Sequence, residues 1–256
     1  MGATVSKTNT QLYLDLLEKC LLDTIYGSRH IDESGKVHPI ASAEQVEEGN
    51  YWPDRAHTMV GRKRLRNVRA CVETILEDNI PGDLIETGVW RGGSCIFMKG
   101  ILEAYGSSKK VYVADSFDGL PPPDPRYPVD ADPGYDCLRS RLLAIPQEQV
   151  MANFERYDLL DDRVVFLKGW FEDTLPEANI EKLALLRLDG DMYSSTIHVL
   201  QNLYEKVSPG GFIIVDDYGI PACRDAVTDF RNACGIRDYI SQIDGTGAWW
   251  RRSDGW

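Results

Sequence analysis

The 256-residue sequence predicts an open, doubly wound α/β fold with a mostly parallel sheet. From residue 83 onwards, short apolar runs alternate with segments of helical periodicity, which is the pattern of consecutive βαβ units. Several of the runs, LALLRL and FIIV especially, are apolar at nearly every position. Such runs are typical of parallel strands that helices cover on both faces.

Residues 1–80 are predicted to form a helical extension ahead of the sheet. Leucine and isoleucine recur at helical spacing over residues 10–26, and a second, longer helix is predicted from 57 to 77. The polar stretch 27–55 between the two helices is expected to be an ordered loop or lid. Residues 81–256 then form the domain that carries the sheet.

The core domain is predicted to contain five parallel strands and a closing antiparallel hairpin. The parallel strands are predicted at residues 83–89, 110–116, 163–169, 183–190 and 211–217. Helices are expected between most of them, near residues 93–105, 146–157, 194–207 and 222–234. The hairpin strands flank the turn Gly245-Thr246-Gly247.

The charge balance and the apolar pattern argue against several classes of partner. Forty acidic residues against 28 basic ones give a formal net charge of −12, which repels phosphate backbones and anionic membranes. No apolar run approaches the ~20 residues of a membrane span, and the N-terminus does not have the pattern of a signal peptide. The six scattered cysteines are expected to be reduced thiols, so we predict a cytoplasmic protein with neither nucleic-acid nor membrane partners.

The turn after the first parallel strand is a candidate ligand-binding loop, because ligands of open α/β sheets bind beyond the carboxyl ends of the strands. Residues 86–94 read ETGVWRGGS, and the glycines at 88, 92 and 93 allow the backbone to approach a ligand closely. The spacing is not that of a dinucleotide fingerprint, and Glu86 suits a cationic amino-acid ligand better than a pyrophosphate. The alternative is a plain glycine-rich turn.

Two further strand ends can complete a nucleoside site. Asp115 ends the second parallel strand, where a carboxylate can accept hydrogen bonds from both hydroxyls of a ribose. The third strand continues into Gly169, Trp170 and Phe171, whose aromatic pair could enclose an adenine ring. The alternatives are that Asp115 is an ordinary turn residue and that the aromatic pair belongs to the core.

Four carboxylates follow the fourth and fifth parallel strands. Asp189 and Asp191 follow one strand, and Asp216 and Asp217 follow the other. If these strands are neighbours, the four acids converge and repel one another, and a divalent cation would relieve the repulsion. Oxygen ligands without a nearby histidine or cysteine favour Mg²⁺, Ca²⁺ or Mn²⁺. The alternative is that the aspartates cap the following helices.

The predicted long helix of the extension carries a run of basic side chains. We expect them to form a solvated basic face behind His57 and not a ligand site. These residues are Arg62, Lys63, Arg64, Arg66 and Arg69. The other histidines, His30, His38 and His198, have no metal-like spacing.

Several motifs together resemble those of the macrocin O-methyltransferase (TylF-type) family, whose members methylate sugars in antibiotic biosynthesis. The matching segments are ETGVWRGGS, VADSFDGLP, GWFEDTLP, LDGDMY and VDDYGIPACRDAV, with YLDLL, AHTM and WWRRS towards the ends. The resemblance covers nearly the whole chain. It implies a class I methyltransferase-like, seven-stranded sheet and a Mg²⁺-dependent transfer of a methyl group from S-adenosylmethionine to a sugar hydroxyl.

The resemblance also implies roles for individual residues. Asp189, Asp216 and Asp217 would hold the Mg²⁺, and Asp191 would be the general base. The remaining matches would bind the methyl donor. They are Met59, Glu86, Thr87, Gly88, Ser94, Asp115, Ser116, Gly169, Trp170 and Phe171, together with Asp189.

Two regions depart from the macrolide-type members of the family and are expected to shape the acceptor pocket. Trp52-Pro53 stands where those members have Tyr-Pro. The segment from Pro121 to Ser140 also differs, with a Pro-Pro-Pro run and Tyr135-Asp136-Cys137-Leu138-Arg139. The donor and metal residues therefore transfer from the family more directly than the identity of the acceptor does.

The sequence thus predicts a homo-oligomeric enzyme, a dimer or a tetramer, that methylates a sugar hydroxyl of a glycosylated small molecule. One alternative is a catechol-type O-methyltransferase, which would use similar acids on an aromatic diol. A second is a nicotinamide-dependent oxidoreductase, which would explain Asp115 but not the acid cluster. A third is a non-catalytic module that binds a metal or a nucleoside.

Overall fold

The N-terminal extension folds into helices and a small antiparallel sheet in the computed structural model, which describes residues 6–32, 36–131 and 142–253. The elements are α1 (Asn9–Leu21), β1 (Arg29–Ile31), β2 (Val37–Ile40), α2 (Ala43–Glu48), β3 (Trp52–Pro53) and α3 (Arg62–Glu77). Thr8 and Ser42 start α1 and α2, each as part of a capping box.

The extension differs from the sequence prediction in two respects. The segment predicted as a loop contains α2 and a three-stranded sheet in the order β2-β1-β3. These strands have two to four residues, too few to show an alternating pattern in the sequence. The long helix begins at Arg62 and not at His57, because Gly61 takes the extended N-cap conformation.

In the described part of the chain the central sheet has seven strands, and the five parallel strands predicted from the sequence are all present. Its strands are β4 (Asp83–Thr87), β5 (Val111–Asp115), β6 (Val164–Lys168), β7 (Leu183–Leu188), β8 (Val207–Val215), β9 (Ser241–Gln242) and β10 (Ala248–Arg251). Their order is β6-β5-β4-β7-β8-β10-β9, with β10 antiparallel to both β8 and β9. The predicted doubly wound α/β class and the C-terminal hairpin are confirmed.

Helices cover both faces of this sheet. They are α4 (Gly93–Ala104), α5 (Gln147–Glu155), α6 (Phe171–Thr174), α7 (Tyr193–Leu203) and α8 (Pro221–Ala233), with 3-10 turns at Pro128–Ala131 and Tyr204–Lys206. The helix predicted to reach residue 207 ends at Leu203, and the 3-10 turn leads directly into β8.

Alternate residues of the strands contribute to two cores. Leu84 faces the core that also holds the leucines of α1 and α3, whereas its neighbour Ile85 faces the core beneath α7 and α8. The extension and the sheet therefore share apolar contacts. The division of the chain at residue 80 remains a prediction.

The topology brings five strand ends to one edge. Chain order reverses between β4 and β7, which places the switch point of the sheet beside β4. Leu188 and Val215 are register partners at the ends of β7 and β8, so the aspartates that follow these strands start at the same level.

Two sequence expectations concern the chain as a whole. Within the described ranges, no helix combines the length and the hydropathy that crossing a membrane requires. Five of the six cysteines lie in described residues and are free thiols, whereas Cys137 lies outside them.

Candidate active site

A cavity of about 720 Å³ lies at the carboxyl edge of the sheet, within the size range of small-molecule sites. Nearly all the residues singled out in the sequence line it. These are Met59, Glu86, Gly88, Ser94, Asp115, Ser116, Gly169, Trp170, Phe171, Asp189, Asp191, Asp216 and Asp217. Thr87 is placed differently: its side chain is fully buried, and its hydroxyl donates to the carbonyl of Arg187 at 3.2 Å.

The turn after β4 requires glycine at its first position. Gly88 has φ +86°, and a Cβ at this residue would lie 1.6 Å from the carbonyl oxygen of Asp189. Further along the turn, the amide of Gly93 donates to the carbonyl of His57 at 2.9 Å and starts α4 against the extension. The glycines thus let two backbone segments pack directly on the turn.

Asp115 is joined to this turn by backbone hydrogen bonds. One of its carboxylate oxygens accepts from the amide of Val89 at 2.7 Å, and the other accepts from the amide of Phe117 at 2.7 Å. Burial raises the pKa of Asp115, and these amides oppose that rise. The oxygen bound to Phe117 also accepts from the Ser116 hydroxyl at 3.4 Å, and the oxygen bound to Val89 can accept from a ligand hydroxyl in the cavity.

Arg187 is the central cation of the site, and the sequence analysis missed it. Its side chain is 0% exposed within β7 and pairs with Glu86, Asp189 and Asp216, at 2.8 Å for Asp189. The other oxygen of Glu86 accepts from the Cys95 thiol at 2.7 Å. The available signal was a single charged residue inside an otherwise apolar strand.

The acids after β7 and β8 meet in space. Carboxylate oxygens of Asp189, Asp216 and Asp217 lie within 4.8 Å of one another. The amide of Asp191 donates to Asp217 at 2.9 Å, which joins the two turns. These four aspartates are hereafter called the acid cluster.

The electrostatics of the acid cluster favour a bound cation. Burial, followed by the charge of Asp216, raises the pKa of Asp189 to about 8. Burial and the charges of Asp191, Asp189 and Asp216 also raise the pKa of Asp217 well above its usual range. Burial is the largest cause of both rises, and the repulsion between the neighbouring carboxylates adds to it. The all-oxygen donor set and the close approach of three carboxylates both fit a hard divalent cation such as Mg²⁺.

Arg64 belongs to the site, so the expectation of a solvated basic face is wrong for this residue. Arg64 is 8% exposed, forms an ion pair with Asp216, and its Nε lies 2.9 Å from a carboxylate oxygen of Asp244. Five residues further along α3, Arg69 is also paired, with Asp15 and Glu73. The periodicity of the helix could not reveal that Arg64 points inward, because its partners are distant in the sequence.

His57 is likewise part of a packed contact. Its Nδ1 lies 2.8 Å from the hydroxyl of Tyr157. Burial, together with the charges of Arg156 and Arg91, lowers the pKa of His57 to about 4. The ring is therefore neutral at physiological pH.

The regions expected to shape an acceptor pocket contribute further to the cavity. Trp52 lines it, and so does the segment Gly119–Pro125 of a loop, residues 117–131, that we call the proline loop. Glu172 and His198, which the sequence analysis did not select, also line the cavity. The predicted acceptor residues 135–139 lie outside the described residues.

Comparisons with known proteins give a consistent family assignment. The family model described as Macrocin-O-methyltransferase (TylF) matches residues 10–252. The 8-demethyl-8-(2,3-dimethoxy-alpha-L-rhamnosyl)-tetracenomycin-C 4'-O-methyltransferase of Streptomyces olivaceus is 53% identical, covering 94% of this chain and 93% of that protein. The mycinamicin III 3''-O-methyltransferase of Micromonospora griseorubida is 49% identical, covering 96% of this chain and 98% of that protein. The structure of the O-methyltransferase NovP is 48% identical with a TM-score of 0.91, covering 96% of this chain and 100% of that one.

Proposed function

This chain belongs to the macrocin O-methyltransferase (TylF) family, and we propose that it methylates a sugar hydroxyl of a glycosylated small molecule with S-adenosylmethionine and Mg²⁺. Because its close relatives are O-methyltransferases, the chain is a methyltransferase enzyme. The observation that carries the finer proposal is the meeting of the glycine turn and the acid cluster in one cavity.

The donor site is proposed to lie between the ends of β4, β5 and β6. Asp115 would accept hydrogen bonds from the ribose hydroxyls, and Trp170 and Phe171 would lie beside the adenine. Glu86, already held by Arg187 and Cys95, has lone pairs left for the amino group of the donor. The acidic cavity also attracts the cationic sulfonium.

The remaining predicted donor residues lie around the same strand ends. Gly88 would let the backbone approach the donor, and Thr87 would act only through that backbone, since its side chain is buried. Ser94, Ser116, Gly169 and Met59 line the cavity and are proposed as further donor contacts. Asp189 borders both sites, because its carbonyl lies beside Gly88 and its carboxylate lies in the acid cluster.

Asp189, Asp216 and Asp217 would hold the Mg²⁺. When bound, the cation supplies Lewis acidity to an acceptor hydroxyl, which is otherwise a weak nucleophile at neutral pH. Arg187 and Arg64 each hold one oxygen of Asp216 and thereby fix the plane of its carboxylate. The protein thus orients one proposed ligand before any ion binds.

Asp191 is proposed to take the proton of the acceptor hydroxyl. As the oxygen bonds to the methyl carbon, the carbon–sulfur bond of the donor breaks and its electron pair returns to sulfur. The products are the methyl ether, neutral S-adenosylhomocysteine and protonated Asp191. The hydrogen bond from the amide of Asp191 to Asp217 holds the base beside the proposed metal site.

The acceptor class is proposed from the relatives and from the cavity wall. The names of two relatives specify glycosylated compounds, a rhamnosyl tetracenomycin and a mycinamicin. Trp52 and the proline loop provide an apolar wall on which the acceptor would pack. The homo-oligomeric state and the cytoplasmic location stay predictions.

A methyl-transfer assay tests the proposal. The purified protein is incubated with S-adenosylmethionine, Mg²⁺ and either a rhamnosylated tetracenomycin, mycinamicin III or a catechol, and the products are measured by mass spectrometry. We expect methylation of a glycoside that stops in EDTA and returns with Mg²⁺. Methylation of the catechol alone would contradict the sugar acceptor. A full rate after thorough removal of metal would contradict the metal role, and a thermal shift with NAD but not with S-adenosylmethionine would contradict the donor.

A further inference from the structure

We propose that Asp130 is a positioning residue, which sets the place of Asp191 and links it to the proline loop. The proposal rests on the proposed function, in which Asp191 takes the proton. Asp130 lies in the divergent segment from Pro121 to Ser140, outside the motifs that resemble the family, and it does not line the cavity.

Asp130 is a fully buried carboxylate on the 3-10 turn Pro128–Ala131, with 0% exposure. One of its oxygens accepts from the amide of Tyr193 at 2.7 Å, and the other accepts from the amide of Ser194 at 2.9 Å. These amides are the first two of α7, where backbone donors have no partner within the helix. A negative charge at this end is also favoured by the helix dipole, which offsets the cost of burying it.

The hydrogen bonds of Asp130 hold one end of a strained turn, residues 189–192. Asp191 has φ +57°, in the left-handed region that costs a non-glycine residue about 1–3 kcal/mol. The amide of Asp191 is held by Asp217 on one side, and the amides of Tyr193 and Ser194 are held by Asp130 on the other. Because both ends of the turn are fixed, the backbone from which the Asp191 side chain extends has a defined position.

The same residue anchors the proline loop. Next to Asp130, the ring of Tyr127 packs against Tyr193 at 5.2 Å and against His198 at 5.8 Å between ring centroids. The loop therefore lies on the first turns of α7, while its earlier part lines the cavity. Loss of Asp130 should move the acceptor wall and the base together. The donor residues on β4 and β5 do not depend on this contact.

The variants Asp130→Ala and Asp130→Asn test the proposal, with Asp118→Asn as the matched control. Asp118 is an exposed aspartate of the same loop that does not line the cavity. We expect Asp130→Ala to lower kcat by about 10- to 100-fold and to raise the acceptor KM. S-adenosylhomocysteine affinity, measured by calorimetry, should stay unchanged. Asp130→Asn retains one acceptor oxygen, so its kcat and acceptor KM should lie between those of Asp130→Ala and the wild type. Asp118→Asn should match the wild type in both.

Hydrogen exchange provides a measurement that does not require turnover. The amides of Tyr193 and Ser194 should exchange faster in Asp130→Ala than in the wild type, with a smaller increase in Asp130→Asn. A lower melting temperature with unchanged kcat, KM and exchange would overturn the proposal, because Asp130 would then be merely structural. If Asp130→Ala does not fold, the proposal is judged on the kcat, KM and amide exchange of Asp130→Asn. If the wild type methylates no glycoside, the proposed function fails, and exchange at Tyr193 still shows whether Asp130 holds the turn.

Discussion

The guanidinium of Arg64 and the carboxylate of Asp216 form a buried ion pair that joins the N-terminal extension to the acid cluster. Arg64 is 8% exposed and Asp216 is 3% exposed, so solvent screens this pair weakly. Arg64 also donates to the carbonyl of Glu48 at 3.3 Å and lies beside Asp244 of the C-terminal hairpin. One side chain thus connects the extension, the sheet and the hairpin at the cavity.

The first prediction concerns the removal of this cation. Arg64→Gln should lower the free energy of unfolding by about 3–5 kcal/mol, because it leaves the buried Asp216 with one cation fewer. The measurement is urea denaturation in EDTA, which excludes compensation by a metal ion. The control is Arg66→Gln on the same helix, whose side chain is 61% exposed and whose loss should cost about 1 kcal/mol or less. Equal midpoints for the two variants would contradict a structural role of the pair.

The second prediction separates steric space from backbone strain at two glycines. Gly88 and Gly106 have φ of +86° and +65°, but a Cβ at Gly88 would meet the carbonyl of Asp189 whereas a Cβ at Gly106 meets nothing within 4 Å. Gly106→Ala should cost about 1–2 kcal/mol of stability from the left-handed conformation alone. Gly88→Ala should cost about 3 kcal/mol or more, and should lower S-adenosylhomocysteine affinity. If urea denaturation gave similar losses of stability for Gly88→Ala and Gly106→Ala, the turn after β4 would be able to relax around the added Cβ, and the prediction would be wrong.

The third prediction is that Asp217→Asn changes stability with opposite signs in EDTA and in Mg²⁺. Without metal, the variant should be at least as stable as the wild type, because it removes a charge that burial and three aspartates disfavour. Saturating Mg²⁺ should stabilise the wild type, by about 2.7 kcal/mol at one hundred times Kd, and should stabilise the variant much less. Thermal unfolding with and without Mg²⁺ measures this, with Asp118→Asn as the control. An equal response of wild type and variant would remove Asp217 from the proposed ligands.

The sequence was informative where a local pattern implied a position in the fold. Parallel strands end at one edge of a sheet, so the acids after β7 and β8 could be placed together from the order of the residues alone. Arg64 and Arg187 could not be placed in this way. The partner of Arg64, Asp216, directly follows the last parallel strand and is distant in the sequence, and a basic residue on an amphipathic helix is usually solvated.

The match to the ETGVWRGGS motif did not predict that the side chain of Thr87 faces away from the cavity. Successive side chains of a strand point to opposite faces, so Glu86 and Thr87 of one motif cannot both face the same side of the sheet. Glu86 lines the cavity, whereas the hydroxyl of Thr87 bonds across to β7. The small sheet of the extension was missed for a related reason, since strands of two to four residues have no readable period.

The fourth prediction concerns the pH dependence of stability at His57. Its pKa is about 4 in the folded chain against 6.5 as the ordinary value, because burial and two arginines disfavour the charged ring. The unfolded chain therefore binds a proton first as the pH falls, and the contribution of His57 to stability is lost between about pH 6.5 and pH 4. His57→Asn cannot titrate but can still bond to Tyr157, so it should lose less stability over this range in urea denaturation. If the free energies of unfolding of the wild type and His57→Asn fell equally between pH 6.5 and pH 4, the lowered pKa of His57 would be contradicted.

The fifth prediction tests the proton acceptor without disturbing the backbone. Asparagine tolerates the left-handed conformation of Asp191 and keeps the size of the side chain, so Asp191→Asn should fold normally. We expect kcat to fall by about 10²- to 10⁴-fold, the usual contribution of a general base, while calorimetry finds unchanged S-adenosylhomocysteine affinity. Asp158→Asn is the matched control, because Asp158 has φ +54°, is exposed, and does not line the cavity. The control should retain wild-type kcat. Substantial turnover by Asp191→Asn would mean that another group takes the proton, and the position of Asp191 beside Asp217 would then serve only the shape of the turn.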